Sequence, residues 1–146
     1  MDIESLSTHT INAVVELVLE LWPECLLDEE LENYARILDS TNDACYLASV
    51  GGEYVAFILI SIRHDYVEGS ADLPVAYIEG IYVKPDYRKQ YIAKELVLVA
   101  EDWATQKGVK QIASDTEITN LASIDFHKKS GFHEVVRIVC FIKDLS

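Results

Sequence analysis

Hydrophobic residues recur with a helical period in four stretches of the chain, and this spacing predicts a helix in each. The predicted helices cover residues 10–22, 28–38, 92–105 and 120–129. Pro23 stops the first run, and Gly108 closes the third. Asp28 is the expected N-cap of the second helix, because a carboxylate there can accept hydrogen bonds from free backbone N–H groups.

Apolar and β-branched residues also form shorter runs that predict strands. The predicted strands cover residues 2–6, 45–50, 54–62, 75–83, 110–114 and 135–142. Gly51-Gly52 joins two of them and is typical of a hairpin turn. The element order β-α-α-β-β-β-α-β-α-β predicts a mixed α/β or α+β fold around a central sheet.

The last predicted strand, Val135–Ile142, is apolar on both faces apart from Arg137. A strand with one solvated face should alternate between apolar and polar residues. Two interpretations remain open for the exception: burial against a second subunit, or an internal strand covered on both sides.

Length and composition narrow the class of protein. The chain has 146 residues, which fits a single domain over 1–146, and half of them are hydrophobic. The net charge of −13 argues against nucleic acid or an anionic membrane as partner and permits a cationic one, although it also serves solubility. The three cysteines and four histidines lack metal-ligand spacing, so no metal site is expected. The acidic start, Met1 to Glu4, does not resemble a secretory leader, and we expect a cytoplasmic protein.

The segment from Glu79 to Ala93 carries the first chemical signal. A strand ends, a short basic loop with Arg88 and Lys89 follows, and a helix begins. Free N–H groups and the dipole at a helix start attract anions, so this segment is compatible with a pyrophosphate site. An ordinary strand-to-helix turn with solvated basic residues has the same pattern.

Further motifs resemble the GNAT superfamily of N-acetyltransferases. The pattern Arg88-x-x-Tyr91-x-Ala93 opens a helix, Asn120 opens another, and Gly131-Phe132 closes that one. Segments 61–69, 78–83 and 113–116 look like the aminoglycoside 6′-N-acetyltransferases of Gram-negative bacteria, as does Leu21-Trp22-Pro23. Tyr91 departs from the superfamily pattern, which has a glycine there.

The resemblance implies a mostly antiparallel, twisted mixed sheet flanked by helices, acetyl-CoA as co-substrate, direct attack of a primary amine on the thioester, and a homodimer. The implied cofactor-binding residues are Ile81, Tyr82, Val83, Arg88, Lys89, Gln90, Tyr91, Ile92, Ala93 and Asn120. The implied substrate-binding residues are Trp22, Asp65, Tyr66, Glu79 and Asp115. Each has a simpler alternative: Asn120 could only cap its helix, Asp115 could only shape a turn, and Trp22 alone would read as core.

Two residues are predicted to be catalytic. Glu79 lies on a strand of otherwise apolar residues, where an unpaired carboxylate is unfavourable, so it is expected to accept the amine proton through water or to bind the cation. Facing solvent at a strand end is the simpler reading. His127 occupies the position at which many superfamily members carry a tyrosine that protonates the leaving thiolate, but a partly buried helix histidine needs no such role.

The resulting hypothesis is acetylation of the 6′-amine of aminoglycosides. Acetylation of a polyamine or a protein, and a non-catalytic acyl-CoA sensor, are the alternatives. Glu79, Asp115 and the loop from Arg63 to Gly69 favour the first hypothesis, while Tyr91 favours the sensor.

Overall fold

A five-stranded sheet with helices on both faces forms the core of the protein, in a computed structural model that describes residues 1–146. The strands are β1 (Asp2–Ser5), β2 (Asp43–Val50), β3 (Glu53–Arg63), β4 (Val75–Val83) and β5 (Ile112–Ala113). The helices are α1 (Ile11–Leu21), α2 (Leu27–Asp39), α3 (Ile92–Gln106) and α4 (Leu121–Lys129). A short 3₁₀ turn, Pro85–Tyr87, precedes α3. No helix has the length and apolar character needed to cross a membrane.

Strand order follows the chain, β1-β2-β3-β4-β5. The first three pairings are antiparallel, and β4 pairs with β5 in parallel over two residue pairs. Gly51 and Gly52 both have positive φ angles, 58° and 85°, as the tight turn between β2 and β3 requires. The predicted mixed, mostly antiparallel fold is confirmed.

The two faces of the sheet carry separate apolar cores. On one face, alternate residues of β3 such as Ile58 and Ile60 pack against Leu96 and Ala100 of α3. On the other face, Phe57 packs with Val14 and neighbouring residues of α1. The period-two alternation of β3 therefore distributes its side chains between the two helical layers.

A β-bulge interrupts this alternation in β4. Leu59 of β3 pairs with Gly80, but Ile60 pairs with Ile78, so Glu79 has no partner on β3. An extra residue of this kind bends the strand and changes which face the following side chains meet. Ile78 and Ile81 are three residues apart and would face opposite sides of a regular strand, but here both lie on the α3 face.

The structure corrects two expectations. Asp28 is not the N-cap of α2; Leu26 holds that position without a side-chain cap, and Asp28 lies in the first turn. A carboxylate there still interacts favourably with the helix dipole. The predicted strand Val135–Ile142 is also absent, and no backbone–backbone hydrogen bond involves residues 133–146. A strand needs a neighbour to satisfy its backbone, and this segment has none within its own chain.

Candidate active site

The bulge places Glu79 and Gly80 side by side on the face of the sheet covered by α1. The ring of Trp22, just after α1, lies over Gly80 so closely that a Cβ on this glycine would be 2.6 Å from the ring atom Cη2. The Trp22 ring therefore covers β4 next to Glu79. Glu79 itself is half-buried. This is the neighbourhood that the sequence predicted for the substrate amine.

Two residues of β3 donate hydrogen bonds to Glu79. Arg63 Nε and Nη2 donate to the two carboxylate oxygens, Oε2 at 2.9 Å and Oε1 at 2.6 Å. The hydroxyl of Ser61, a buried residue, donates to Oε2 at 2.5 Å. Ser61, Arg63 and Glu79 meet because alternate residues of β3 point to one face and the bulge turns Glu79 to the same face.

These contacts set the protonation state of Glu79. Partial burial raises the pKa of the carboxyl, but the hydrogen bonds from Arg63 and Ser61 and the positive charge of Arg63 outweigh burial, so that the pKa lies below its ordinary value of 4.5. Glu79 is thus a carboxylate at neutral pH, suited to holding an ammonium group or an ordered water. A strongly basic carboxylate would need the opposite shift.

Asp115 is connected to this group through Tyr77. The Tyr77 hydroxyl donates a hydrogen bond to the Asp115 carboxylate. Burial, followed by this hydrogen bond, raises the pKa of Tyr77, so the phenol stays protonated and remains a donor. The guanidinium of Arg63 lies 3.5 Å above the centre of the Tyr77 ring. Glu79 and Asp115 therefore belong to one polar cluster, Ser61–Glu79–Arg63–Tyr77–Asp115.

The edge of β4 that faces away from β3 is open beyond Tyr77, because pairing with β5 ends there. Lys84 N–H donates to Val55 O at 2.8 Å, so these two residues form a hydrogen-bonded pair. Antiparallel pairs alternate, and the N–H groups of Val83 and Ile81 consequently point to the open edge. They are free to receive an extended ligand as an additional strand would be received.

The N-terminus of α3 follows this edge. The N–H groups of Ile92, Ala93 and Lys94 precede the first helical hydrogen bond, from Glu95 N–H to Tyr91 O at 3.0 Å. The side chain of Ile92 is buried in the core and that of Ala93 packs against it, so these residues can serve an anion through their backbone.

The basic loop before α3 adopts an unusual backbone. Lys89 and Tyr91 have φ angles of 62° and 67°, the left-handed region that favours glycine. Both side chains are exposed, as is that of Gln90. Arg88 Nε donates to Val83 O at 2.8 Å and thereby fixes the loop to the end of β4. Tyr91 thus adopts a backbone conformation that favours glycine, while its ring projects into solvent.

Asn120 and His127 both make contacts within α4 and its surroundings. Asn120 is the N-cap of α4, and its Oδ1 accepts a hydrogen bond from Ser123 N–H at 3.1 Å. His127 Nδ1 donates to Ser123 O at 2.7 Å, and Nε2 lies 2.8 Å from the hydroxyl of Ser114. Both ring nitrogens are therefore occupied, so protonation of a leaving thiolate by His127 would require the Ser114 contact to break.

The remaining predicted substrate residues lie on the loop between β3 and β4. Asp65 and Tyr66 are exposed, and the Tyr66 hydroxyl donates to Glu68 at 3.0 Å. An open groove of about 530 Å³ begins beneath Trp22 and Leu59 and runs along α2, where Glu30 supplies a carboxylate. Its volume falls within the range of about 300–1,000 Å³ that is typical of small-ligand sites.

Sequence reasoning missed Ser61, Arg63 and Tyr77 as individual members of the cluster. Arg63 and Ser61 stand two apart on β3, and Tyr77 and Glu79 stand two apart on β4. That spacing indicates a shared face within each strand, but the strand register, including the bulge, is needed to bring the two pairs together.

Comparison with known proteins agrees with this geometry. The model of the acetyltransferase (GNAT) family matches residues 11–132. An aminoglycoside N(6′)-acetyltransferase type 1 of Salmonella typhimurium (strain LT2) is 35% identical over 143 residues, which cover 98% of this chain and 99% of the relative. Another, of Acinetobacter genomosp. 13, is 42% identical over 127 residues, 86% of each chain.

Solved structures show the same relationship. The structure of AAC(6′)-Iy in complex with the bisubstrate analog CoA-S-monomethyl-acetylneamine has a TM-score of 0.94 and 34% identity, covering 98% of this chain and 97% of that one. The 6′-N-acetyltransferase AAC(6′)-IG of Acinetobacter haemolyticus has a TM-score of 0.91 at 32% identity, with both chains covered completely. The fold, the open strand edge and these full-length similarities together establish that the chain belongs to the GNAT family of acetyltransferases.

Proposed function

We propose that this protein transfers the acetyl group of acetyl-CoA to the 6′-amine of aminoglycosides. One observation carries the proposal: Glu79 and Ile81 stand two residues apart on β4. Glu79 offers a carboxylate, and the N–H group of Ile81 points to the open strand edge. An amine held by the first group is thereby brought next to a thioester held by the second. The names of the full-length relatives supply the substrate class.

The cofactor arm would lie along the open edge of β4, with the N–H groups of Ile81 and Val83 as donors and Tyr82 between them. The pyrophosphate would lie at the start of α3, near Arg88 and the first N–H groups of the helix. These donors require no metal ion. Asn120 can contribute its amide NH₂ group, which makes no hydrogen bond within the chain.

In the reaction, the amine nitrogen attacks the thioester carbonyl carbon while the carbonyl oxygen becomes an oxyanion. A backbone N–H at the open edge would stabilise that charge. Collapse of the intermediate breaks the C–S bond, and the thiolate takes up one proton. Because Glu79 has a lowered pKa, we assign it to holding the substrate amine, either directly or through one water that takes up the amine proton, and Asp115 to a second ammonium group of the substrate.

The test is a panel of amines incubated with protein and acetyl-CoA and analysed by mass spectrometry. Aminoglycosides with a 6′-amine should gain one acetyl group at that position, and close relatives with a 6′-hydroxyl should gain none. Acetylation of polyamines or peptides in preference to aminoglycosides would favour those substrates instead. Binding of acetyl-CoA without transfer to any amine would indicate a sensor.

We also propose that the protein works as a homodimer in which the last segment, residues 133–146, is covered by a second copy. Seven apolar side chains of this segment are exposed to solvent: Val135, Val136, Ile138, Val139, Phe141, Ile142 and Leu145. Phe141 and Ile142 are 92% and 96% exposed. The outer edge of β5 has no strand neighbour, so each copy offers both an unpaired apolar segment and an unpaired sheet edge. Reciprocal exchange between two copies satisfies both and closes the assembly.

Sedimentation analysis of the wild type should show a dimer. Val139→Lys and Ile142→Lys, which lie on opposite faces of an extended segment, should each shift it towards monomer. Leu121→Lys is the matched control, because Leu121 is 73% exposed on α4 outside this segment. A monomeric wild type would mean that the segment folds onto its own sheet, and the proposal would be wrong.

A further inference from the structure

We propose that Arg63 is a positioning residue that restricts Glu79 to a single free acceptor position, on Oε1, and thereby directs the substrate amine. This inference rests on the proposed function, in which Glu79 receives that amine. Arg63 acts through Glu79 and need not touch the substrate.

The acceptor sites of the Glu79 carboxylate can be counted. A carboxylate offers about four lone-pair sites, two on each oxygen. Oε2 accepts from Ser61 Oγ at 2.5 Å and from Arg63 Nε at 2.9 Å, which fills both of its sites. Oε1 accepts from Arg63 Nη2 at 2.6 Å and retains one site. One N–H of an amine, or one bridging water, can therefore bind in a defined direction.

The contacts of Arg63 differ from those of an ordinary surface ion pair. Its two donors form a fork to the carboxylate, and its flat face rests 3.5 Å from the centre of the Tyr77 ring. A lysine could supply the charge but neither the fork nor the stacked plane. The side chains of Arg63 and Glu79 are 41% and 28% exposed, so the pair is partly open to solvent and to a ligand.

Charge gives Arg63 a second effect in the same place. Asp115 joins the cluster through Tyr77. The two carboxylates and the one guanidinium give the cluster one net negative charge. Without the guanidinium, Glu79 would keep only the Ser61 contact to Oε2 and would present about three free acceptor sites with an unneutralised charge. Such a site would still attract cations but would hold them in several orientations.

A double-mutant cycle in kcat/KM for a 6′-amine substrate tests the inference. Arg63→Gln should lower kcat/KM about 10- to 100-fold, since hydrogen bonds to a charged group are lost. In a Glu79→Gln background the same change should have an effect below about 2-fold, because the group through which Arg63 acts is already neutral. Arg63→Lys should recover part of the loss in the wild-type background. Lys107→Gln, which removes an exposed positive charge on α3's C-cap, is the control for charge alone.

Two measurements keep a folding defect apart from a positioning role. Thermal unfolding is recorded for each variant, and ¹³C NMR titration of the Glu79 carboxyl should show a higher pKa in Arg63→Gln than in the wild type. Additive losses in the cycle, or an unchanged Glu79 pKa, would overturn the inference. A wild type that transfers no acetyl group to any amine would instead refute the proposed function.

Discussion

Replacing Tyr91 by glycine should stabilise the protein, although glycine usually destabilises a chain. Tyr91 has a φ of 67°, and a non-glycine residue in the left-handed region is strained by about 1–2 kcal/mol. Its side chain is 75% exposed, so little packing is lost. Glycine also gives the unfolded chain more conformational freedom, which lowers the stability of the folded state by about 0.4–1 kcal/mol. The midpoints of these two ranges differ by about 0.8 kcal/mol, which is the expected net stabilisation.

For a chain of this size, that gain corresponds to a rise in Tm of about 1–4 °C. Differential scanning fluorimetry without ligand measures it. Lys89→Gly is a matched positive control, because Lys89 is exposed with a φ of 62°. Gln90→Gly is the negative control: Gln90 lies between them without a positive φ, so the variant should lose about 0.4–1 kcal/mol. A Tm for Tyr91→Gly that falls as far as that of Gln90→Gly would refute the reasoning.

The same variant reports on the cofactor. Because the Tyr91 side chain is 75% exposed and the first N–H groups of α3 make no helical hydrogen bond, the wild type should bind acetyl-CoA. Calorimetric titration of Tyr91→Gly should show equal or modestly tighter binding. Strong binding by the glycine variant alone would mean that Tyr91 closes the site.

Three further predictions concern the cleft. Gly80→Ala should lower stability by about 1–3 kcal/mol and displace Trp22, because the new Cβ would lie 2.6 Å from the indole; fluorescence of the tryptophans and thermal unfolding measure both effects. Asp115→Asn should weaken aminoglycoside binding by about 1.5–3 kcal/mol and leave acetyl-CoA binding unchanged in calorimetry, and the reverse pattern would place Asp115 on the cofactor side. Glu79 has a lowered pKa in the folded state, so its stabilising effect is present above its ordinary value of 4.5 and is lost as pH falls below it. The stability difference between wild type and Glu79→Gln should accordingly shrink on acidification from pH 6 to pH 4, and a constant difference would contradict the ion pair.

Elements whose signal lies in their own residues were predictable from the sequence. The helix over Ile92–Gln106 follows from its apolar period, and the β2–β3 hairpin follows from two adjacent glycines. The N-cap of α4 was recognisable because asparagine is a favoured capping residue. Glu79 stood out because a carboxylate within an apolar strand needs a partner.

Features that depend on pairing between distant segments were not predictable. The bulge arises from the register of β3 against β4, and no single residue in the sequence predicts it. The partners of Glu79 therefore remained unknown, including the arginine two residues beyond Ser61. The segment Val135–Ile142 shows the opposite case. Its apolar residues predict a strand, but a strand forms only where a neighbouring strand pairs with its backbone, and no residue of this segment makes a backbone–backbone hydrogen bond in the structure.

The two groups that the proposed reaction brings together, Glu79 and Ile81, both belong to strand β4. Glu79 and Ile81 are two residues apart on one strand, a covalently fixed span of about 7 Å. In the proposed function, the distance between the group that holds the amine and the group that binds the thioester is therefore fixed by the backbone of β4 and does not depend on loop movement. If the proposed site is correct, the loop at residues 64–74 and the groove along α2 can change to fit differently shaped acceptors while the spacing between Glu79 and Ile81 stays the same. Under that proposal, acceptor specificity evolves in the segments around β4, and the strand itself keeps one geometry for all acceptors.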